Sequence, residues 1–263
     1  MLRIEQLTVC HGSRSVVESL SFDFPVGSVS VLLGPNGAGK STLLQSLIGL
    51  QPMKSGDVFL QGRSLQRWSR QEICHRMAWQ GAMPDVAFGL TVRQRLQLAC
   101  LPLNNGQGLP EEPLHLLELH GLLDRDLAQL SSGERQRIEI AAMVVRDCPI
   151  WLLDEPATHL DLKYQVVLLA LLRRQAAAGK TIVCVLHDLQ QAQALADQVL
   201  LFSPTHSRVE HGSAEKWLTR ARMEPLYQTT LHHWRDAHGG HCLLPDYGSE
   251  MRSMMESEDE STR

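Results

Sequence analysis

The stretch Gly34-Pro35-Asn36-Gly37-Ala38-Gly39-Lys40-Ser41-Thr42 decides how the rest of the chain is read. It follows SVSVLL (28–33), a run with two valines and two leucines behind them, and leads directly into TLLQSLIGL (42–50), whose apolar residues recur at helical spacing. Strand, glycine loop and helix in that order are the setting in which Gly-x4-Gly-Lys-Ser binds phosphate. The glycines let the backbone curl so that several N–H groups point inward, and the following helix adds the partial positive charge of its N-terminus. Lys40 can reach the β- and γ-phosphates of a nucleotide, and the Ser41 hydroxyl can ligate Mg²⁺. A glycine-rich turn beside a stray lysine is the competing explanation. With five lysines, 19 glycines and 30 serines plus threonines in the chain, the four identities would coincide in roughly three of a thousand such chains.

Two later apolar strands carry polar chemistry at their carboxyl ends. Ile150-Trp151-Leu152-Leu153 runs into Asp154-Glu155, and Thr181–Leu186 runs into His187-Asp188. A helix over 164–178 lies between them. Near-continuous apolar strands alternating with helices predict a parallel sheet buried on both faces. Ligands collect at the carboxyl ends of such strands, so the acidic pair and the glycine loop are expected to face one site. Asp154 suits the hydration shell of Mg²⁺, and Glu155 can orient an attacking water or accept its proton. His187 ends a neighbouring strand, within reach of a γ-phosphate.

Composition bounds the rest. The 263 residues are 43% hydrophobic and 21% charged, enough for one large domain with a core and too apolar for general disorder. The net charge is -4, and the tail from Ser249 to Arg263 holds five acids against two bases. The remaining body is close to neutral, which offers no case for a nucleic-acid partner. The longest wholly apolar stretch, Val166–Leu172, is far short of the ~20 residues of a membrane helix. MLRIEQLTVCHG lacks a basic-then-apolar leader, so a cytosolic chain is expected. Six scattered cysteines without a CxxC pair read as free thiols, Cys184 among them as a core residue.

LRIEQLTV (2–9) and SLSFDF (19–24) alternate as strands, SGDVFLQG (55–62) reads as a short strand pair, and 64–76 as a polar amphipathic stretch. Helices are expected over 85–146, interrupted by a loop at 104–110, with PLHLLELHGLL (113–123) apolar at i, i+3 and i+4. VLLF (199–202) predicts one more strand. From Gly212 onward an appendage is expected: a helix over AEKWLTRARMEPLY (214–227), then a hairpin turning at Gly239 and Gly240. His232 and His233, adjacent on a strand, point to opposite faces, which favours a surface hairpin over a shared metal ion.

Leu130-Ser131-Ser132-Gly133-Glu134-Arg135-Gln136-Arg137 has the form of a helix N-terminus with bare N–H groups. It is either an ordinary cap or a second anion site. Taken together, these segments resemble the ATP-binding-cassette (ABC) ATPase family. GPNGAGKST is similar to its Walker A motif, LSSGERQR to its signature, IWLLDEP to its Walker B, and Thr158–Asp161 to its D-loop. Gln80 in MAWQ matches the Q-loop glutamine and His187 the switch histidine, and order and spacing agree over about 1–205.

The resemblance implies an α/β fold: a P-loop NTPase cassette with a mostly parallel core sheet, an N-terminal antiparallel β-subdomain and an inserted helical subdomain. One domain, 1–248, would comprise a core with β-subdomain (1–84 and 147–204), a helical signature subdomain (85–146) and a C-terminal appendage (205–248). A disordered acidic tail, 249–263, would follow. It also implies ATP and Mg²⁺, the metal held through Ser41, Gln80 and Asp154. Glu155, His187, Gln80 and Lys40 would be catalytic, and Gly34 to Thr42 would cradle the phosphates. Each nucleotide in a head-to-tail homodimer would meet Ser131, Ser132 and Gly133 of the other chain. Three departures stand out. The family usually has Gly at Ser132, Gln at Glu134, and an adenine-stacking aromatic at His11, where imidazole offers a smaller surface. Glu155 is present, as a hydrolysing cassette requires.

No membrane helix is fused to the cassette, so any transport path belongs to other subunits. The C-terminal pattern resembles the importer group serving siderophore–iron, haem and cobalamin. That resemblance implies a peripheral homodimer on the cytoplasmic face of a bacterial inner membrane, docked to two permease subunits. The groove near Gln80 and 81–90 would take a permease helix, and a periplasmic solute-binding protein would act indirectly. An exporter ATPase, a soluble P-loop metabolite kinase and a non-transport cassette remain the alternatives.

Overall fold

The computed structural model describes residues 1–81, 89–100, 108–235 and 241–248. The alternation in the first stretch builds an antiparallel pair, β1 (Leu2–His11) and β2 (Arg14–Phe24), joined at Gly12 and Ser13. After β3 (Val29–Leu33) and α1 (Lys40–Leu47), β4 (Met53–Leu60) pairs with β1, and β5 (Arg63–Ser64) with β4. Leu2, Ile4, Leu7 and Val9 of β1 are all buried. A register shift between Ile4 and Leu7, with Gln6 at φ 45°, absorbs the extra residue and keeps this set facing inward.

The second sheet has six strands. Beyond β3 it contains β6 (Met77–Gln80), β7 (Ile150–Asp154), β8 (Thr181–Val185), β9 (Gln198–Leu201) and β10 (Glu210–Ser213), in the order β10-β9-β3-β8-β7-β6. Every pairing is parallel except β10 with β9. The mostly parallel sheet and the antiparallel N-terminal sheet expected from the sequence are both present. Successive residues of one strand enter different cores, as a pleat requires. Trp151, Leu153, Ile182 and Cys184 pack with α5 (Ser132–Arg146), α6 (Leu162–Ala177) and α7 (Leu189–Leu195). Leu152, Val183, Val185 and Leu32 pack with α1 and the antiparallel sheet.

Because β3, β8, β7 and β6 are consecutive and parallel, their carboxyl ends lie side by side. Gly34, His187, Asp154 and Gln80 therefore come to one edge from four distant parts of the chain. All six cysteines are free thiols, and burial pushes the Cys184 thiol well up.

Several elements differ from expectation. Within 64–76 only a 3-10 turn (Leu65–Arg67) and α2 (Arg70–Cys74) are helical. Helix α3 (Val92–Cys100) precedes α4 (Glu111–Leu116), and the helix expected over 113–123 stops early. Glu118 takes φ 51°, and Leu117 and Leu119 both point into the core, a two-residue repeat that a continuing helix cannot supply. The helix expected over 214–227 is two: α8 (Ala214–Trp217) and α9 (Arg220–Tyr227), broken where Trp217 folds back over Gly212. Strand β10, absent from the sequence reading, joins residues 210–213 to the edge of the main sheet beside β9. β11 (Leu231–Arg235) and β12 (His241–Pro245) form the expected hairpin, and its turn at 236–240 lies outside the described residues. So do 82–88, 101–107 and the acidic tail. His232 is paired with Asp246 at 2.7 Å. Among the described residues no three histidine, cysteine, aspartate or glutamate side chains group as a metal site.

The loop start is held from behind. Gly34 has φ 143°, and a Cβ there would lie 2.3 Å from the Phe202 carbonyl oxygen. Gly34→Ala is expected to lower the unfolding free energy by roughly 2–4 kcal/mol. Gly121→Ala, with nothing within 4 Å of the added carbon, should change it by less than about 0.5 kcal/mol. Urea unfolding of both variants checks the pair.

Candidate functional site

The glycine loop closes on itself before α1 begins. Gly39, at φ 102°, is the N-cap of α1, so Lys40 starts the helix. A Cβ on Gly39 would lie 2.6 Å from the Val16 side chain, which fixes the loop against β2. Lys40 is buried, and its Nζ donates to the carbonyls of Gly34 (2.7 Å) and Pro35 (2.8 Å), two of its three donors. Burial holds its pKa below the usual lysine value, while Glu155 and Asp154 pull it back up. His11 and Arg14 face each other across the β1–β2 turn, and Arg14 and Val16 share one face of β2. These three side chains, with Asn36, Gly37 and Thr42, line a cavity of about 340 Å³ that also reaches Lys40, Ser41 and Glu155.

A second cavity, about 260 Å³, lies at the ends of β6 and β7. Ser41, Gln80, Asp154 and Glu155 line it together with Gln136, Thr158 and His159. Gln80 Oε1 and Asp154 Oδ1 are buried and have no hydrogen-bond partner among the described residues. Two unmatched acceptors beside a serine hydroxyl form an all-oxygen donor set, which suits Mg²⁺. Burial raises the Asp154 pKa; the Ser41 hydroxyl opposes that rise and the Glu155 charge adds to it. His187 Nε2 lies 2.6 Å from Glu155 Oε1, so the histidine meets the carboxylate directly. Glu155 itself sits at φ 52°, a conformation a non-glycine residue holds only under constraint.

Ser131 is the N-cap of α5, as the sequence predicts, but its environment differs from an open anion site. Glu134 Oε2 accepts from Ser131 N (2.8 Å) and Ser131 Oγ (2.9 Å), while Glu134 N donates to Ser131 Oγ (3.2 Å). This capping box places a carboxylate at the helix start and leaves Ser132 and Gly133 as the N–H groups without an intrahelical partner. The Ser131 N–H and hydroxyl hold the Glu134 carboxyl below its usual range. Ser131, Ser132 and Gly133 line neither cavity of their own chain.

Arg14, Val16 and the lining role of Gln136 escaped the sequence reading. Arg14 is read only once the β1–β2 turn puts it opposite His11. Gln136 sits three residues beyond Gly133, on the same helical face, a spacing visible in the sequence but uninformative until the face has a neighbour.

Fold and site define a P-loop nucleotide-binding ATPase. The family model described as ABC transporter matches residues 17–158. The achromobactin transport ATP-binding protein CbrD of Dickeya dadantii is 37% identical over 204 residues, 74% of this chain and 76% of its own. The iron(3+)-hydroxamate import ATP-binding protein FhuC of Bacillus subtilis is 33% identical, covering 86% of this chain and 87% of its own. The hemin import ATP-binding protein HmuV of Pseudomonas putida is 33% identical, covering 93% and 99%. In solved structures, a chain of an ABC transporter assigned to the metal-chelate type superposes with a TM-score of 0.77 at 25% identity, over 94% of this chain and 98% of that one. The chain belongs to the ABC transporter family, as an ATP-binding, ATP-hydrolysing member. Among the described residues no helix is long and apolar enough to cross a membrane.

The raised Asp154 pKa carries a sign. A folded-state value above the unfolded one favours the protonated chain, so this contribution is complete below the ordinary 3.8 and is lost as pH rises through the raised value. Asp154→Asn should therefore stabilise the nucleotide-free protein by about 1 kcal/mol at pH 8. The gain should fade on acidification and disappear below pH 3.8. Denaturant unfolding across a pH series checks it.

Proposed function

We propose that this chain is the ATP-hydrolysing subunit of a bacterial importer for a chelated metal, of the iron–siderophore, haem or cobalamin class. Two copies would dock head to tail on two permease subunits at the cytoplasmic face of the inner membrane, supplied by a periplasmic solute-binding protein. The relatives' printed names, achromobactin transport and iron(3+)-hydroxamate and hemin import, support the cargo class. Residues 1–84 and 147–204 would form the core, 85–146 the signature subdomain and 205–248 the appendage.

The observation that carries the hydrolytic assignment is the His187–Glu155 pair beside the unmatched oxygens of Gln80 and Asp154. Gly34 to Thr42 would bind the phosphate chain through backbone N–H groups, with Lys40 neutralising its β and γ ends. Ser41, Gln80 and Asp154 would hold Mg²⁺, which when bound neutralises charge on the phosphate oxygens. Glu155 would orient the attacking water and accept its proton, held in place by His187. His11 would meet the base. The N–H groups of Ser132 and Gly133 would face the partner's γ-phosphate, so cleavage removes a charge bridging the two copies and releases them.

Glu155→Gln is expected to bind ATP at parent affinity, to turn over roughly a hundred-fold more slowly or worse, and to run as a dimer with ATP and Mg²⁺. Turnover at the parent rate would remove Glu155 from this role. Affinity capture of the full chain from membranes should bring down a permease and support ATP-dependent uptake of a ferric chelate in vesicles. Phosphoryl transfer to a soluble metabolite without a membrane partner would point to a kinase instead.

A further inference from the structure

One face of α5 grips the turn that carries Glu155. Gln136 is buried, and its Nε2 donates to the carbonyl of Pro156 at 2.7 Å. One helical turn back, Gly133 packs so closely on the same segment that a Cβ would lie 2.8 Å from the His159 carbonyl oxygen. The turn between these contacts is closed by Thr158 N to Glu155 O (3.1 Å) and Leu160 N to Ala157 O (3.2 Å). It is held at both ends in the left-handed region, Glu155 at φ 52° and His159 at φ 67°. Such backbone persists only where its surroundings over-determine it. Pro156 is buried, so its carbonyl needs a donor, and the Gln136 amide supplies one.

We propose that Gln136 is a positioning residue for hydrolysis, fixing the Glu155–His159 turn to the helix that begins at Ser131. This rests on the assignment of Glu155 as the water-orienting carboxylate. Gln136 lines the cavity shared by Ser41, Asp154 and Glu155 but not the one shared by His11 and the glycine loop. Losing its donor should therefore misplace Glu155 while leaving the nucleotide's anchorage intact. The same tie gives α5 a second duty. The end of the helix offered to a neighbouring copy and the carboxylate of its own chain move as one body, so a shift at one nucleotide is felt at the other.

Gln136→Met keeps length and volume and removes the amide; Gln136→Glu keeps length and, when ionised, removes the donor. In steady-state ATPase assays of the full-length protein, both should lower kcat about ten-fold, a modest misplacement effect. The KM for ATP should stay within about two-fold, since the phosphate loop is untouched. A merely structural amide would instead lower the amount of active protein, changing binding capacity and kcat together. That outcome, or a kcat for either soluble variant within about two-fold of the parent, overturns the proposal. If Gln136→Met does not fold, Gln136→Glu decides alone. Glu155→Gln run in parallel separates the two claims: parent-rate turnover there overturns both, whereas a dead Glu155→Gln beside fully active Gln136 variants overturns only the positioning role.

Discussion

Parallel pairing between neighbouring strands obliges their carboxyl ends to emerge on the same edge, and the meeting of the glycine loop, His187, the acidic pair and Gln80 follows from that. β3 delivers the glycine loop, β8 delivers His187, β7 delivers Asp154 and Glu155, and β6 delivers Gln80. None of these groups is brought near another by local sequence alone, apart from the acidic pair. The strands can sit side by side because their side chains are apolar in both directions, so helices and a second sheet can cover both faces.

That edge concentrates opposing charges in a partly dry place. Lys40 is buried among carbonyl oxygens, Asp154 is drawn toward its neutral form, and Glu155 is taken up by His187. The balance suits a ligand that brings its own negative phosphates and a divalent cation, because the two unmatched acceptors and the curled N–H groups ask for opposite partners around cavities that share Ser41 and Glu155. The other candidate anion contact, at the start of α5, is organised differently. Glu134 occupies the serine there, with Arg125 at 3.7 Å to offset its charge, so the N–H groups of Ser132 and Gly133 are those the capping box leaves open.

What was legible in the sequence has a common character. The phosphate loop, the two apolar strands and the Ser131 cap are each specified within a dozen residues, and local rules of spacing and capping suffice for them. The misses depend on contacts that local spacing does not reveal. The helix after Pro113 ends at Leu116 because the core takes both Leu117 and Leu119; the break before α9 exists because Trp217 needs Gly212; β10 is a strand because β9 offers it an open edge. Gln136 belongs with these, since an amide on a helix face acquires meaning only from the Pro156 carbonyl opposite.

The pleat that sends Trp151 one way and Leu152 the other has a thermodynamic corollary. The helix-covered compartment and the one roofed by β1, β2 and β4 are divided by a partition a single strand-layer thick, and each residue of the partition serves one side only. Water admitted on one side strips half the packing from the divider on which the opposite side relies. The two compartments are thus mutual scaffolds, and melting is expected to be shared between them rather than sequential.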